Sequence, residues 1–420
     1  MGAGFASWPR SLKTSLTNNP LGAALRSRPI RIFFAVIFLL AIISPAGVVF
    51  AVVWTAPPVT NAASAQAPPD TGPARMLSAP DVQPVSLPAP EVNVYANTLS
   101  GVVPCPLCDI PQRVYVPNST AGTVDVIDPL TFKVIDHYAV GAIPHHIAPA
   151  WDMSALYVDN EGSSSLTVLD IHTGKPAGTI SIPFPYNLYF TPDGTKAIDV
   201  VERLNRIEFR DPHNGWRLLG AVGMPWPGAD HLDFSADGSY LMISMEYSGV
   251  VARVNTITMK LDGYVRVGGL PIDIKLSPDG RYFFVTNQGR MGVSVIDPVA
   301  MKEIQFIPTG RGAHGLQVSR DTKSLYVSNR LEGSFSVIDF ATRTQVAKWT
   351  IPGGGSPDML QLNPDGTELW ASGRYNATVY VMSTVSGQLM AKIRVGSQDH
   401  GLTYFPNVGL HSLGHNGVYR

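Results

Sequence analysis

The chain has 420 residues, of which 45% are hydrophobic and 15% charged, with 39 glycines, 35 prolines and a formal net charge of −1. This composition favours short strands and turns over long helices, and it is compatible with one long all-β domain. Five basic and no acidic residues lie in the first 54 positions, so the remainder is net negative, which argues against nucleic acid as a partner.

The N-terminal region predicts a membrane anchor. Residues 1–31 contain those five basic residues, and residues 32–54 form an uncharged run of 23 residues. At about 1.5 Å per residue, a helix of this length crosses a hydrocarbon core of roughly 30 Å. The positive-inside rule then predicts a single-pass protein of a bacterial-type cytoplasmic membrane, with the N-terminus inside and everything after Trp54 outside. Small residues at 61–67 leave a cleaved signal peptide as the alternative.

Residues 55–112 form a linker rich in proline and alanine, and such a composition favours an extended spacer over a packed core. The linker contains the pair Cys105 and Cys108. Outside the cytoplasm a local disulfide is the expected state of this pair, and a pair of soft-metal ligands is the alternative.

From residue 113 the sequence repeats a short strand, as in VYVPN (114–118), LYVDN (156–160), FFVTN (283–287) and LYVSN (325–329). Successive copies are 42 to 44 residues apart when aligned on Val116, Val158, Val200, Ile243, Val285, Val327 and Ala371. A period near 40 with only short apolar runs predicts the four-stranded blades of a β-propeller.

The segments FFVTNQG (283–289) and LYVSN resemble the YVTN-repeat β-propeller family, and the resemblance extends over residues 113–407. It implies a propeller fold but no particular activity, because propellers carry many functions. The strand at 400–405 has no second strand after it, so we expect it to complete the N-terminal blade. This closure predicts seven blades, and residues 408–420 remain as a tail that caps one face.

One position of each repeat starts the predicted innermost strand of its blade. Around the ring this position is occupied by His145, Tyr186, Asp230, Ile272, His314, Asp358 and His400. Such strand starts converge at one mouth of the central channel. The four consecutive blades that carry His314, Asp358, His400 and His145 therefore predict a site for zinc or copper. His146, Asp230 and His231 are candidates for the second shell of that site, and structural or ligand-binding polar residues are the alternative.

A second set of side chains is expected at the same mouth, on the loops that follow the second strands. Arg330 and Arg374 belong to the repeats of His314 and Asp358, and together they are suited to a carboxylate, phosphate or sulfate group. For either arginine considered alone, a solvated loop residue is the favoured interpretation, and it is their position beside the His/Asp cluster that indicates a site.

The sequence thus predicts a membrane-anchored, extracytoplasmic propeller that acts as a binding module, with a possible transition metal and another membrane or cell-envelope protein as partner. It contains no P-loop, GxSxG, HExxH or dinucleotide fingerprint. A metal- or cofactor-dependent enzyme of oxidoreductase or lyase type is the first alternative, and a purely structural scaffold is the second.

Overall fold

The computed structural model describes residues 93–420 and two short strands, β1 (Ile42–Ser44) and β2 (Gly47–Val49), which pair antiparallel. The other residues of the predicted basic N-terminus, membrane span and linker up to residue 92 lie outside the described residues. Among the residues that are described, no helix is long and apolar enough to cross a membrane.

The propeller consists of seven antiparallel four-stranded sheets. The first three blades contain β3 (Arg113–Asn118), β4 (Thr123–Asp128), β5 (Lys133–Ala139); β6 (Pro144–Pro149), β7 (Ala155–Asn160), β8 (Ser165–Asp170), β9 (Pro176–Ser181); and β10 (Asn187–Phe190), β11 (Ala197–Val201), β12 (Arg206–Asp211), β13 (Arg217–Gly223). The next two contain β14 (Ala229–Phe234), β15 (Tyr240–Met245), β16 (Val250–Asn255), β17 (Lys260–Arg266); and β18 (Pro271–Leu276), β19 (Phe283–Asn287), β20 (Gly292–Asp297), β21 (Lys302–Pro308). The last two contain β22 (Ala313–Val318), β23 (Ser324–Asn329), β24 (Ser334–Asp339), β25 (Thr344–Thr350); and β26 (Pro357–Leu362), β27 (Glu368–Gly373), β28 (Thr378–Ser383), β29 (Leu389–Arg394).

The ring closes as the repeat predicts. Strand β30 (Thr403–Phe405) pairs with β3 in the register Arg113↔Phe405, Val114↔Tyr404 and Tyr115↔Thr403. The first blade therefore has the strand order β30–β3–β4–β5, with its innermost strand supplied by the C-terminal part of the chain. The prediction of seven blades with this closure is confirmed.

Burial decreases from the channel outward. The innermost strands, such as β26, are buried along their whole length, whereas outer strands such as β25 contain only exposed and half-buried residues, which alternate from Val346 onward. The alternation is expected for an edge strand with one face in solvent. Asp-Gly turns join the innermost strands to the second strands. In one of these turns Gly280 has a φ of +70°, and Asp279 accepts a hydrogen bond from the N–H of Arg281 at 3.1 Å.

Short 3-10 helices lie at loops around the ring and in the terminal segments. They are Ala96–Thr98, Leu107–Asp109, Glu161–Ser163, Glu202–Leu204, Glu246–Ser248 and His415–Gly417. Those at Glu161, Glu202 and Glu246 follow second strands, so they lie at the mouth of the channel where the innermost strands begin.

The end of the predicted linker, residues 93–112, packs on the propeller. Tyr95 is buried and donates a hydrogen bond to the carbonyl of Leu276 at 2.9 Å. Leu107 and Ile110 pack into the core of the first two blades. The neighbouring Cys105 and Cys108 are joined in a disulfide.

The C-terminal tail enters the channel from the end opposite the mouth. The N–H of Phe190, the last residue of β10, donates to the carbonyl of Leu413 at 3.0 Å. The carboxylate of Asp233 accepts from Arg420 at 2.6 Å, near the end of β14. From there the turn at His415 reaches Asn187, the first residue of β10. The predicted cap is therefore also a plug that extends along the channel.

Candidate metal centre

A bulge at the start of the innermost strand explains why adjacent residues both reach the channel. In β6, Pro144 pairs with Asn160 and Ile147 with Val158, so β6 has one residue more than its partner over this stretch. A bulge of this kind redirects side chains. His145 and His146, which occupy the bulge, are both buried at the channel. The same register shift recurs in β14, β18, β22 and β26.

Hydroxyl groups of the second strands fix the position of the channel residues. Ser328 donates to the carbonyl of Asp358 at 2.5 Å, in the next blade. Thr286 donates to the carbonyl of His314 at 2.5 Å, and Ser372 hydrogen-bonds the carbonyl of His400. These contacts give a physical role to the hydroxyl residue of the repeated strand. The sequence analysis missed that role, although the recurrence of Ser or Thr was visible.

The structure brings together three of the four predicted metal ligands, His314, Asp358 and His400, which we call the mouth cluster. Each offers one ligand atom, and these atoms lie within 4.8 Å of one another. His314 Nδ1 is 2.9 Å from Asp358 Oδ1, and His400 Nε2 is 3.6 Å from Asp358 Oδ2. All three side chains are buried.

The fourth predicted ligand, His145, lies beside the mouth cluster with a carboxylate partner of its own. Its Nδ1 is 3.4 Å from Nδ1 of His400, and its Nε2 is 3.0 Å from Glu161 Oε2. Glu161 also accepts two hydrogen bonds from Arg203, at 2.6 and 3.1 Å. Burial would raise the pKa of Glu161, but His145 and Arg203 lower it to about 2. Glu161 and Arg203 are site residues that the sequence analysis did not select.

Arg330 lies against the mouth cluster, as its repeat position predicts. It donates to Asp358 Oδ1 at 3.0 Å and to Gln288 Oε1 at 2.6 Å. Burial opposes ionisation of Asp358, but the nearby His314 and Arg330 hold its pKa at about 2, so it is a carboxylate at neutral pH. Arg374 is half-buried, and its Nη1 has no hydrogen-bond partner among residues 93–420.

The imidazoles of the mouth cluster are neutral at physiological pH. Burial, reinforced by Arg374, holds the pKa of His400 well below its usual value. Burial and Arg330 lower the pKa of His314. Neutral imidazole and ionised carboxylate are the protonation states that coordinate metals.

Two further acids at the mouth have raised pKa values. Burial and the nearby Asp230 raise the pKa of Glu202 to about 7 and that of Glu246 to about 8. The mouth therefore combines carboxylates that ionise at low pH with carboxylates that titrate near neutrality, a mixture found at many ligand-binding and active sites.

The predicted second-shell histidines belong to a different group. His146 and His231 lie with His415 of the tail, and one ring nitrogen of each lies within 4.8 Å of the others. We call these three residues the inner cluster. Asp230 stays next to His231, with Oδ1 2.6 Å from His231 Nδ1. No repeat position could have indicated His415, because the tail lies outside the repeats.

Solved structures with the same architecture share little sequence with this chain. The hydrazine synthase of Kuenenia stuttgartiensis is 20% identical, with a TM-score of 0.57 over 66% of this chain and 96% of that one. The dihydro-heme d1 dehydrogenase NirN, solved in complex with DHE, is 15% identical, with a TM-score of 0.56 over 70% of this chain and 75% of that one. A functionally unknown protein from Desulfotomaculum acetoxidans is 18% identical, with a TM-score of 0.61 over 70% and 98%. At these identities the similarity establishes the fold alone.

The comparison with family profiles is more specific. No curated protein matches the sequence significantly. The profile of the YNCE-like β-propellers matches residues 85–407, which is most of the chain and includes every repeat. This agrees with the resemblance to YVTN-repeat propellers, and the chain therefore belongs to the YNCE-like β-propeller family.

Proposed function

We propose that this protein is an extracytoplasmic binding module that holds a transition metal, zinc or copper, at the mouth cluster. His314, Asp358 and His400 would supply two imidazoles and one carboxylate, a set that suits these metals and leaves coordination positions open. Through the open positions the metal would bind a small anionic ligand.

One observation carries the proposal. His314 Nδ1, Asp358 Oδ2 and His400 Nε2 are buried, and none of them makes a hydrogen bond in the described part of the chain, since even the 2.9 Å approach of His314 Nδ1 to Asp358 Oδ1 lacks hydrogen-bond alignment. Buried polar atoms are almost always paired, so three unpaired ones at a single place need an explanation. A bound cation would satisfy all three together.

The arginines support an anionic ligand. Arg330 neutralises part of the charge on Asp358 and so reduces the attraction of the site for a bare cation. A carboxylate, phosphate or sulfate that completes the coordination would supply the negative charge that Arg330 neutralises. Arg374, with its unpartnered Nη1 within the described residues, offers such a ligand a hydrogen-bond donor.

Metal analysis of the full-length protein tests the proposal. After exposure to Zn²⁺ or Cu²⁺ and dialysis, we expect stoichiometric metal that the double substitution His314→Ala with His400→Ala removes from the mouth. The control His411→Ala changes a tail histidine whose ring stacks on Trp151, with centroids 3.9 Å apart, and should leave that metal in place. Equal metal content in the double variant and the control contradicts the proposal.

Membrane attachment is a separate part of the proposal, supported by the apolar run at 32–54 and the basic residues before it. A reporter fused after residue 60 should be extracytoplasmic, and the protein should stay with the membrane fraction. A soluble form that starts near residue 66 would instead indicate a cleaved signal peptide. The partner would then be sought among other proteins of the cell envelope.

A further inference from the structure

The inner cluster lies deeper in the channel than the mouth cluster and combines two blades with the tail. His146 comes from β6, His231 from β14 and His415 from the C-terminal segment. The ring centroids are 5.3 Å apart for His146 and His231, 5.1 Å for His146 and His415, and 4.5 Å for His231 and His415. All three side chains are almost completely buried.

Each imidazole presents one nitrogen to an oxygen of the protein. His146 Nδ1 is 3.0 Å from Asn416 Oδ1, and His415 Nδ1 is 2.9 Å from Asn187 Oδ1. A side-chain amide oxygen can only accept, so in both contacts Nδ1 carries the proton and Nε2 carries the lone pair. A histidine ligand held by an oxygen at its other nitrogen is the usual arrangement around metals.

The third histidine has a carboxylate beside it. His231 Nδ1 lies 2.6 Å from Asp230 Oδ1, although the two atoms are not aligned for a hydrogen bond. Burial would lower the pKa of His231, but the negative charge of Asp230 raises it. The Nε2 atoms of His146, His231 and His415 are buried, and none has a hydrogen-bond partner among the described residues. One ring nitrogen of each histidine lies within 4.8 Å of the others, so three ring nitrogens meet in one enclosed place.

The tail adopts a strained backbone to deliver its histidine. His415 has a φ of +20° and Asn416 a φ of +49°, between Gly414 and Gly417, which also have positive φ. A side chain at Gly414 would come within 2.3 Å of the carbonyl oxygen of Leu188, so the turn needs glycine there. Left-handed conformations at residues other than glycine persist where their surroundings hold them, and they concentrate at functional sites.

We propose that His146, His231 and His415 form a second metal site for Zn²⁺ or copper, in which the ion fastens the C-terminal segment inside the channel. Three nitrogen ligands leave a fourth position, and on the side of His415 the acid beside it is Asp273, with Oδ1 3.7 Å from His415 Nε2 and 3.1 Å from Lys275 Nζ. The site shares no ligand with the mouth cluster.

The two sites are close but separable by substitution. The rings of His146 and His400 have centroids 4.5 Å apart, so a change in one of them perturbs the other. His415 contributes to the inner cluster and Asp358 to the mouth cluster, and neither is one of the two histidines whose rings are in contact. The substitutions His415→Ala and Asp358→Asn therefore each test one site.

The experiment is a Zn²⁺ titration of the full-length, metal-stripped protein, with bound zinc counted after dialysis and folding checked by circular dichroism. We expect two equivalents for the wild type and for the control His411→Ala. His415→Ala should lose the zinc of the inner cluster and keep that of the mouth cluster. Asp358→Asn should lose the zinc of the mouth cluster and keep that of the inner cluster. If His415→Ala fails to fold, Asn416→Ala serves instead, and it should weaken one site about 10- to 100-fold because it removes only the partner of His146.

A second readout follows the tail. Zn²⁺ should slow carboxypeptidase digestion of the C-terminus in the wild type and in Asp358→Asn, but not in His415→Ala. In Asp358→Asn, which lacks the mouth site, Co²⁺ in place of zinc should give a ligand-field spectrum of nitrogen coordination, and adding His415→Ala should abolish it. The inference is overturned if the tail variants keep the zinc of the wild type, or if zinc does not protect the tail. If Asp358→Asn keeps both equivalents while His415→Ala loses one, the result counts against the mouth site only.

Discussion

The mouth cluster and the inner cluster lie side by side in one channel but are built differently. In the mouth cluster all ligand candidates come from equivalent positions of the repeat, and charged groups such as Arg330 surround them. In the inner cluster one histidine comes from the tail, and amide oxygens of Asn187 and Asn416 orient two of the rings. The repeats thus place side chains at equivalent positions around the channel, whereas the non-repeated tail adds one further histidine, so that only one inner cluster is formed.

The strongest test of this difference removes C-terminal segments of two lengths. Deleting residues 403–420 takes away β30 as well as the tail, so it opens the ring and leaves β3 without its inner partner. We expect loss of cooperative unfolding, a cost on the order of the whole stability of a domain, about 5–15 kcal/mol.

Deleting only residues 409–420 should be milder. It removes the buried Leu413 and Tyr419, and each such side chain contributes about 1.5–3 kcal/mol, but the seven sheets stay closed. The shorter deletion should also abolish metal binding at the inner cluster and keep it at the mouth. Thermal unfolding and bound metal measure both effects, and equal melting curves for the two deletions would contradict the closure argument.

The fold could be predicted from the sequence because its signal is repeated seven times. Residues such as Val158 and Val327 recur at nearly constant spacing, and each copy is buried in the second strand of its blade. The missing inner strand of the first blade then required the C-terminal strand. An incomplete repeat at each end of the chain is a strong signal, because an open sheet edge is unfavourable.

The site was predictable only where it follows the repeat. The positions of His314, Asp358 and His400 indicated a shared mouth, and the structure brings them together. His415 could not be predicted in the same way, because its place depends on a turn with positive φ that threads the channel. The partner of His145 was not selected, although Glu161 occupies the same repeat position as Arg330 and Arg374, because the position places a residue at the mouth without indicating which side chain it contacts.

The next prediction concerns the charge at the mouth. Arg330→Met removes a buried guanidinium and leaves Asp358 buried without its 3.0 Å partner. Breaking one side of such a pair costs about 3–5 kcal/mol, so a loss of this size is expected in the free energy of unfolding measured with urea. Arg311→Met is the matched control, because Arg311 is exposed and lies three residues before His314.

The same substitution sharpens the comparison of the two clusters. Without Arg330 the mouth has one positive charge less, so zinc should bind more tightly there, and the affinity of the inner cluster should hardly change. An unchanged unfolding free energy together with an unchanged zinc affinity would mean that the ion pair has no part in the site.

The smallest expected effect is a pH dependence of stability that arises at the mouth, where Glu161 pairs with His145 and Arg203. Folding lowers the pKa of Glu161 from 4.5 to about 2, against the effect of burial, because His145 and Arg203 stabilise its charged form. A carboxylate with a lowered pKa stabilises the folded state fully above its unfolded pKa, and this stabilisation is lost as the pH falls from about 4.5 toward 2.

Glu161→Gln should therefore flatten the acid side of the curve of stability against pH. We expect a loss of about 1–3 kcal/mol in the free energy of unfolding near neutral pH and a smaller difference from the wild type in acid. Urea unfolding across this pH range measures the difference, with Glu303→Gln as control, because Glu303 on the outer strand β21 also pairs with an arginine, Arg290, but its side chain is 22% exposed against 6% for Glu161. If Glu161→Gln and Glu303→Gln shift the stability curve equally, the mouth carboxylate contributes no more to pH-dependent stability than a carboxylate on an outer strand. If only Glu161→Gln flattens the curve, the charged groups of the mouth contribute to the acid-dependent stability of the fold in a way that a carboxylate on an outer strand does not.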